Sequence, residues 1–209
     1  MKCSLSEPSI HLVLLFLDKS KIFKQLPYTL LLSLKSFLSF EQMADDDIKY
    51  EEDYISNTRG LQLFTCQWRP SNSEPKALIF LCHGNFFADK MLPPRLPLLS
   101  GYAMECSISM RGTGTRLAKA GFAVHGLDYE GHGKSSGLQG YITSFNDVVD
   151  DCCKYFISVC ERVECKNKKK FLLGESMGGA TALMLHRKEP MHWDGAILVA
   201  PMCKHLHRL

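Results

Sequence analysis

The sequence predicts an α/β chain, a mostly parallel sheet with flanking helices. Three observations carry that reading. Residues 77–82 (ALIFLC), 122–128 (FAVHGLD) and 195–201 (GAILVAP) are apolar without alternation, the pattern of strands covered on both faces. Between the second and third lies a segment of helical period, residues 146–163, with Val149, Cys153, Phe156, Ile157 and Cys160 on one stripe. Residues 171–173 then run through a glycine-rich turn into the helix-forming stretch 180–187. Apolar strands alternating with helices imply parallel pairing through crossover connections. In such sheets the chemistry gathers at the carboxyl ends of the strands. His83, Asp128, Ser176 and Pro201 all lie at such ends.

In chain order, residues 1–42 differ from the rest. They are rich in Leu, Ser and Lys, with two apolar runs at 10–17 and 26–40. Neither is an uninterrupted apolar span of membrane length, since Pro27 and Lys35 break the second. No signal-peptide cleavage pattern follows the first. The segment is expected to be an N-terminal extension, disordered or loosely helical, with a natural start at Met43. Residues 61–68 alternate like a half-buried strand, and residues 70–75 form a turn. Residues 116–120 close a helix that Gly121 terminates. Residues 131–137 are a glycine-rich loop, and the lysines of residues 166–170 form a solvated approach to the next strand.

The chain has 209 residues, is 45% hydrophobic and 22% charged, and carries a net charge of +3. That is enough chain for one domain with a real core, and too little positive charge to imply a nucleic-acid partner. Nine cysteines without a zinc-like C-x-x-C pair read as reduced thiols of a cytoplasmic-type protein. No metal or cofactor is expected.

The most informative stretch is Gly174-Glu175-Ser176-Met177-Gly178. G-x-S-x-G alone arises by chance in roughly one in fifteen chains this long. The strand before it and the helix after it give it weight. A strand that turns at once into a helix crowds the positions two before and two after the serine, so Gly174 and Gly178 are required there. The serine hydroxyl then stands clear of the sheet. The Met177 N–H and the helix N-terminus face the place where an oxyanion would form. Glu175 is expected to make a polar contact beside this turn. His83 reads as a brace for the loop that follows it, His125 as a hydrogen-bonded core histidine, and Asp128 as structural.

Further segments stand with the elbow, Gly174 to Gly179: Leu81-Cys82-His83-Gly84, Tyr102-Ala103-Met104-Glu105-Cys106-Ser107, residues 121–137 and Ala200-Pro201-Met202-Cys203-Lys204. Together they resemble the α/β-hydrolases, and within them the plant monoacylglycerol lipase-like group that includes caffeoylshikimate esterases. The resemblance implies that residues 43–209 are the N-terminal part of a hydrolase domain, a partial fold lacking the lid and the C-terminal strands. It implies a serine hydrolase of small-molecule acyl esters or monoacylglycerols, with Ser176 as nucleophile. It leaves peripheral membrane contact open. Such sequences are also filed under serine-aminopeptidase-like hydrolases, a label of family rather than of peptide cleavage.

The chain departs from the pattern twice. Residues 85–101 interrupt the His-Gly and Tyr-Ala-Met-Glu segments as an inserted loop, so the second oxyanion donor is Asn85, or Tyr102 if the insertion is absent. The acid and base of a Ser-Asp-His triad would follow Ser176, yet His186, His192 and Asp194 fall at the wrong places along helix and strand. His205 and His207 lie in the terminal stretch. The alternative is therefore a catalytically inactive truncated product. In either case residues 195–200 are expected to form an apolar edge strand prone to aggregation.

Overall fold

A computed structural model describes residues 14–18, 23–25, 47–84 and 105–202. Eight strands form one sheet: β1 (Leu14–Asp18), β2 (Phe23–Gln25), β3 (Ile48–Ser56), β4 (Gln62–Pro70), β5 (Ala77–Cys82), β6 (Ala123–Leu127), β7 (Lys169–Glu175) and β8 (Gly195–Val199). Three helices interleave them: α1 (Arg111–Lys119), α2 (Phe145–Cys160) and α3 (Met177–Lys188). The spatial order is β2-β1-β8-β7-β5-β6-β4-β3. The central strands β6, β5, β7 and β8 are parallel. An antiparallel pair flanks them on each side.

The apolar runs explain the centre of the sheet. Every residue of β5 and of β6 is buried. Alternate residues of β5 enter different cores, as the two-residue period of a strand demands. Leu78, Phe80 and Cys82 meet α2 and α3 residues such as Phe156 and Leu185. Ile79 and Leu81 meet Trp68, Met110 and Ala118 on the α1 side. Phe80 anchors the first core, with ring centroids 4.8 Å from Phe156 and 5.6 Å from Trp193. Gly121, at φ +92°, ends α1 in the left-handed conformation expected of it.

Two expectations are corrected. Residues 1–42 were expected to be disordered or loosely helical, but Leu14–Asp18 and Phe23–Gln25 are strands. β1 pairs antiparallel with the whole of β8, so the apolar strand expected at an edge has a partner on its outer side. A five-residue run is too short to persist as an isolated helix, whereas the open hydrogen-bonding edge of β8 offers it a ladder. β3 was also not foreseen. Its sequence, IKYEEDYIS, carries little apolar signal because it lies at the sheet edge. It is held by a nine-position register with β4 and by Tyr50 against Trp68 and Tyr54 against Phe64, at 5.2 and 5.5 Å between centroids. The inserted loop, residues 85–101, lies outside the described residues. Among the described residues no helix is long and apolar enough to cross a membrane.

Candidate active site

The connections place the site. From β5 the chain steps through α1 to β6 on one side, then returns through α2 to β7 on the other side of β5. The direction of winding therefore reverses between β5 and β7. The carboxyl ends of strands at such a reversal frame a crevice. Here those ends are Cys82 and Gly174, which are register partners, and they are followed by His83 and Ser176.

Ser176 is the residue between β7 and α3. Its backbone lies at φ +53°, ψ −116°, a region that L side chains rarely adopt and that costs about 1–3 kcal/mol. The surroundings impose it. The Ser176 N–H donates to Val199 O at 2.9 Å, and Ser176 O accepts from Met202 N–H at 2.9 Å and Gly179 N–H at 3.0 Å. A serine preceding a helix ordinarily caps it with its hydroxyl, but this one makes no such bond. Ser176 as a whole is half-buried at the turn. Met177, the first residue of α3, is 2% exposed, and an N–H at that position has no partner within the helix.

The glycines are held by contact. A Cβ on Gly178 would lie 1.9 Å from Cys82 O, and one on Gly174 would lie 2.3 Å from Gly178 O. Gly179 belongs with them, since its Cβ would meet that of Pro201 at 2.6 Å. The spacing alone did not mark Gly179, because the obstacle comes from the segment after β8. Ala200 in that segment also has positive φ, +42°, and it too was missed.

His83 is fully buried. Its Nε2 accepts from the Tyr129 N–H at 3.0 Å, so Nδ1 carries the proton and donates to Gly84 O at 2.7 Å. Tyr129 stacks on the ring at 3.7 Å. With both nitrogens engaged, His83 is a brace between the ends of β5 and β6 and is not placed to take a proton from serine. Tyr129, half of this brace, carried no sequence signal beyond following Asp128. Asp128 is fully buried and accepts from the Ser107 and Lys134 N–H groups, each at 3.0 Å. Burial raises its carboxyl pKa against these bonds. It ties two loops together, and among the described residues no bond links it to the serine.

Two polar readings are corrected. His125 is buried, but neither ring nitrogen has a partner among the described residues. Stacking on Phe80, 5.6 Å away, is what holds it. Burial, and then the nearby Arg162 charge, lower its pKa to about 3. Glu175 has no polar partner among the described residues, and burial raises its carboxyl pKa. A strand position shows burial in sequence but not whether a partner will arrive from elsewhere.

No hydrogen bond joins a described histidine to Ser176. His186 lies ten residues along α3, about 15 Å at helical rise. His192 precedes the amino end of β8, where burial lowers its pKa. Asp194 is engaged with the amino end of β7, accepting from the Lys170 N–H at 2.9 Å. Asn85, Tyr102, His205 and His207 lie outside the described residues. The described cysteines are all buried and unpaired, and no metal-binding cluster occurs among the described residues.

Comparison with known proteins fits this geometry. The family model described as serine aminopeptidase, S33, matches residues 95–208. Monoglyceride lipase of Homo sapiens is 30% identical over 74% of this chain and 45% of its own length. Caffeoylshikimate esterase of Arabidopsis thaliana is 27% identical over 78% and 44%. The chain thus spans less than half the length of these relatives. In fold it is similar to a fungal esterase of Rhizomucor miehei, with a TM-score of 0.53 and 18% identity over 85% of this chain and 53% of that one. An esterase of Pyrococcus furiosus gives 0.51 and 19% over 73% and 53%. The family model spans the strained strand–turn–helix at the winding reversal of the sheet and more than half of the chain, and the chain belongs to the serine aminopeptidase S33 family of α/β-hydrolases, of the monoglyceride lipase-like kind.

Proposed function

We propose that the site hydrolyses small-molecule carboxylic esters of the monoacylglycerol kind, with Ser176 as nucleophile. The observation that carries this reading is the strained Ser176 backbone with a hydroxyl that caps nothing. Strain of that size is maintained by packing from three segments and has no structural use in a plain turn. In the reaction the Ser176 Oγ attacks the acyl carbonyl carbon and loses its proton to a base. The ester C–O bond breaks, the alcohol leaves with a proton, and water releases the acid from the acyl-serine. The Met177 N–H donates one hydrogen bond to the oxyanion, and Gly174 and Gly178 let the turn close. Asn85, or Tyr102, supplies the second donor. His83 and Gly84 hold the strand end from which that donor departs. Residues 43–209 form the N-terminal part of the hydrolase domain, and residues 1–42 an extension that adds β1 and β2 to its sheet.

One observation favours a second reading, that this chain presents the serine but does not turn over. No described histidine is hydrogen-bonded to Ser176. A fluorophosphonate probe and a monoacylglycerol turnover assay separate the two. Labelling and turnover that both vanish in Ser176→Ala support the esterase. Labelling at Ser176 without turnover supports the inactive product. Turnover that survives in Ser176→Ala overturns the assignment of the nucleophile.

A further inference from the structure

One cavity among the described residues is remote from Ser176, and no residue of the elbow lines it. It has a volume of about 590 Å³ and opens at the amino ends of the strands, where Leu78 begins its inner wall on β5 and Ala123 on β6. The loop after α2 closes it from the other side. A water molecule occupies about 30 Å³, and small-molecule sites span about 300–1,000 Å³, so the space is of ligand size.

His125 lies on its wall, 4% exposed, with both ring nitrogens unpartnered among the described residues. A neutral imidazole needs one acceptor for its N–H and one donor for its other nitrogen. No described residue supplies either. The charges around the mouth are not equally matched. Arg69 meets Glu51, and Lys168 meets Glu74 at 2.9 Å. Arg162 reaches only an amide oxygen, Gln67 Oε1, at 3.5 Å, and makes no ion pair with the exposed Glu164 among the described residues. One guanidinium without a carboxylate and one buried imidazole without partners therefore line the same space.

We infer that this cavity is a second binding site, taking a small molecule that bears an oxyanion, with Arg162 supplying the charge and the His125 N–H a neutral hydrogen bond. A planar guanidinium suits a carboxylate or phosphate better than an amide oxygen. Arg162 stands close enough to His125 to oppose a second positive charge there, which keeps the ring neutral and able to both donate and accept. The site does not depend on the reading of Ser176.

The test uses the full chain with ¹⁵N-labelled histidine, titrated with inorganic phosphate and separately with malonate, following the ring nitrogens of His125 and the heat of binding. A saturable shift with either anion supports the site, and the anion that binds identifies phosphate or carboxylate as its chemistry. Affinity should fall at least tenfold in Arg162→Met, an exposed position outside both cores, and in His125→Phe, which keeps the ring against Phe80. No saturable shift up to about 10 mM of either anion, or unchanged binding in both variants, overturns the inference. Ser176→Ala should bind as the native chain does.

Discussion

Replacing Gly178 by alanine tests the packing of the elbow most directly. The added Cβ would stand 1.9 Å from Cys82 O, 2.4 Å from Cys82 C and 2.6 Å from His83 O, whereas ordinary contact begins near 3.4 Å. The methyl must therefore retreat by about 1.5 Å from the nearest of them. All three neighbours are backbone atoms of the β5 terminus, so no side-chain rotation can absorb the overlap. Overpacking costs about 1–3 kcal/mol and occasionally more, and a rigid backbone neighbour places this case near 3. For a chain of this size that lowers Tm by about 6–12 °C. The start of α3 also shifts by on the order of 1 Å, which on the proposed chemistry slows reaction at Ser176 about 100-fold. Thermal unfolding by circular dichroism and the rate of fluorophosphonate labelling read the two effects. Gly112→Ala is the control. Nothing lies within 4 Å of its added Cβ, and a helical glycine-to-alanine change should stabilise by about 0.5–1 kcal/mol. A Gly178→Ala protein within about 0.5 kcal/mol of native, labelling at the native rate, would refute the packing argument.

Three further outcomes are expected. Ser176→Gly should be more stable than Ser176→Ala by about 1–2 kcal/mol, because glycine accepts φ +53° without strain; equal denaturant midpoints would show that the turn is relaxed. His125 has a folded pKa of about 3 against an ordinary 6.5, so the unfolded chain binds the proton first as pH falls. The resulting stability is full above about pH 6.5 and is lost toward pH 3, up to about 4–5 kcal/mol. Urea titrations should find this acid slope flattened in His125→Phe, and an unchanged slope would contradict the burial argument. Removing residues 1–42 leaves the β8 ladder, which Leu14–Asp18 otherwise fills, open to pairing. Size-exclusion chromatography should then show self-association, and a monomer with native Tm would argue against a supporting role for β1.

The elements covered on both faces were legible in the chain because burial on two sides leaves an unbroken apolar run. Residues 77–82, 122–128 and 195–201 became β5, β6 and β8 with small changes at their ends. The elbow was legible because part of its constraint is local: Gly174 is crowded by Gly178 within five residues, whereas Gly178 is held by Cys82 and His83 at the end of β5. Edge strands were not legible. β3 is charged and half-exposed, and β1 finds its place only through the backbone of β8, nearly two hundred residues away in sequence. Gly179 owes its constraint to Pro201, and His83 its tautomer to Tyr129, both through contacts that only folding creates. His125 marks the same boundary from the other side. Its position in an apolar strand determined that it would be buried, while the arrangement of β4, β5 and the loop after α2 decided that no described residue would meet its nitrogens. Burial follows from the pattern of one segment, whereas a hydrogen bond needs two segments to arrive at the same point.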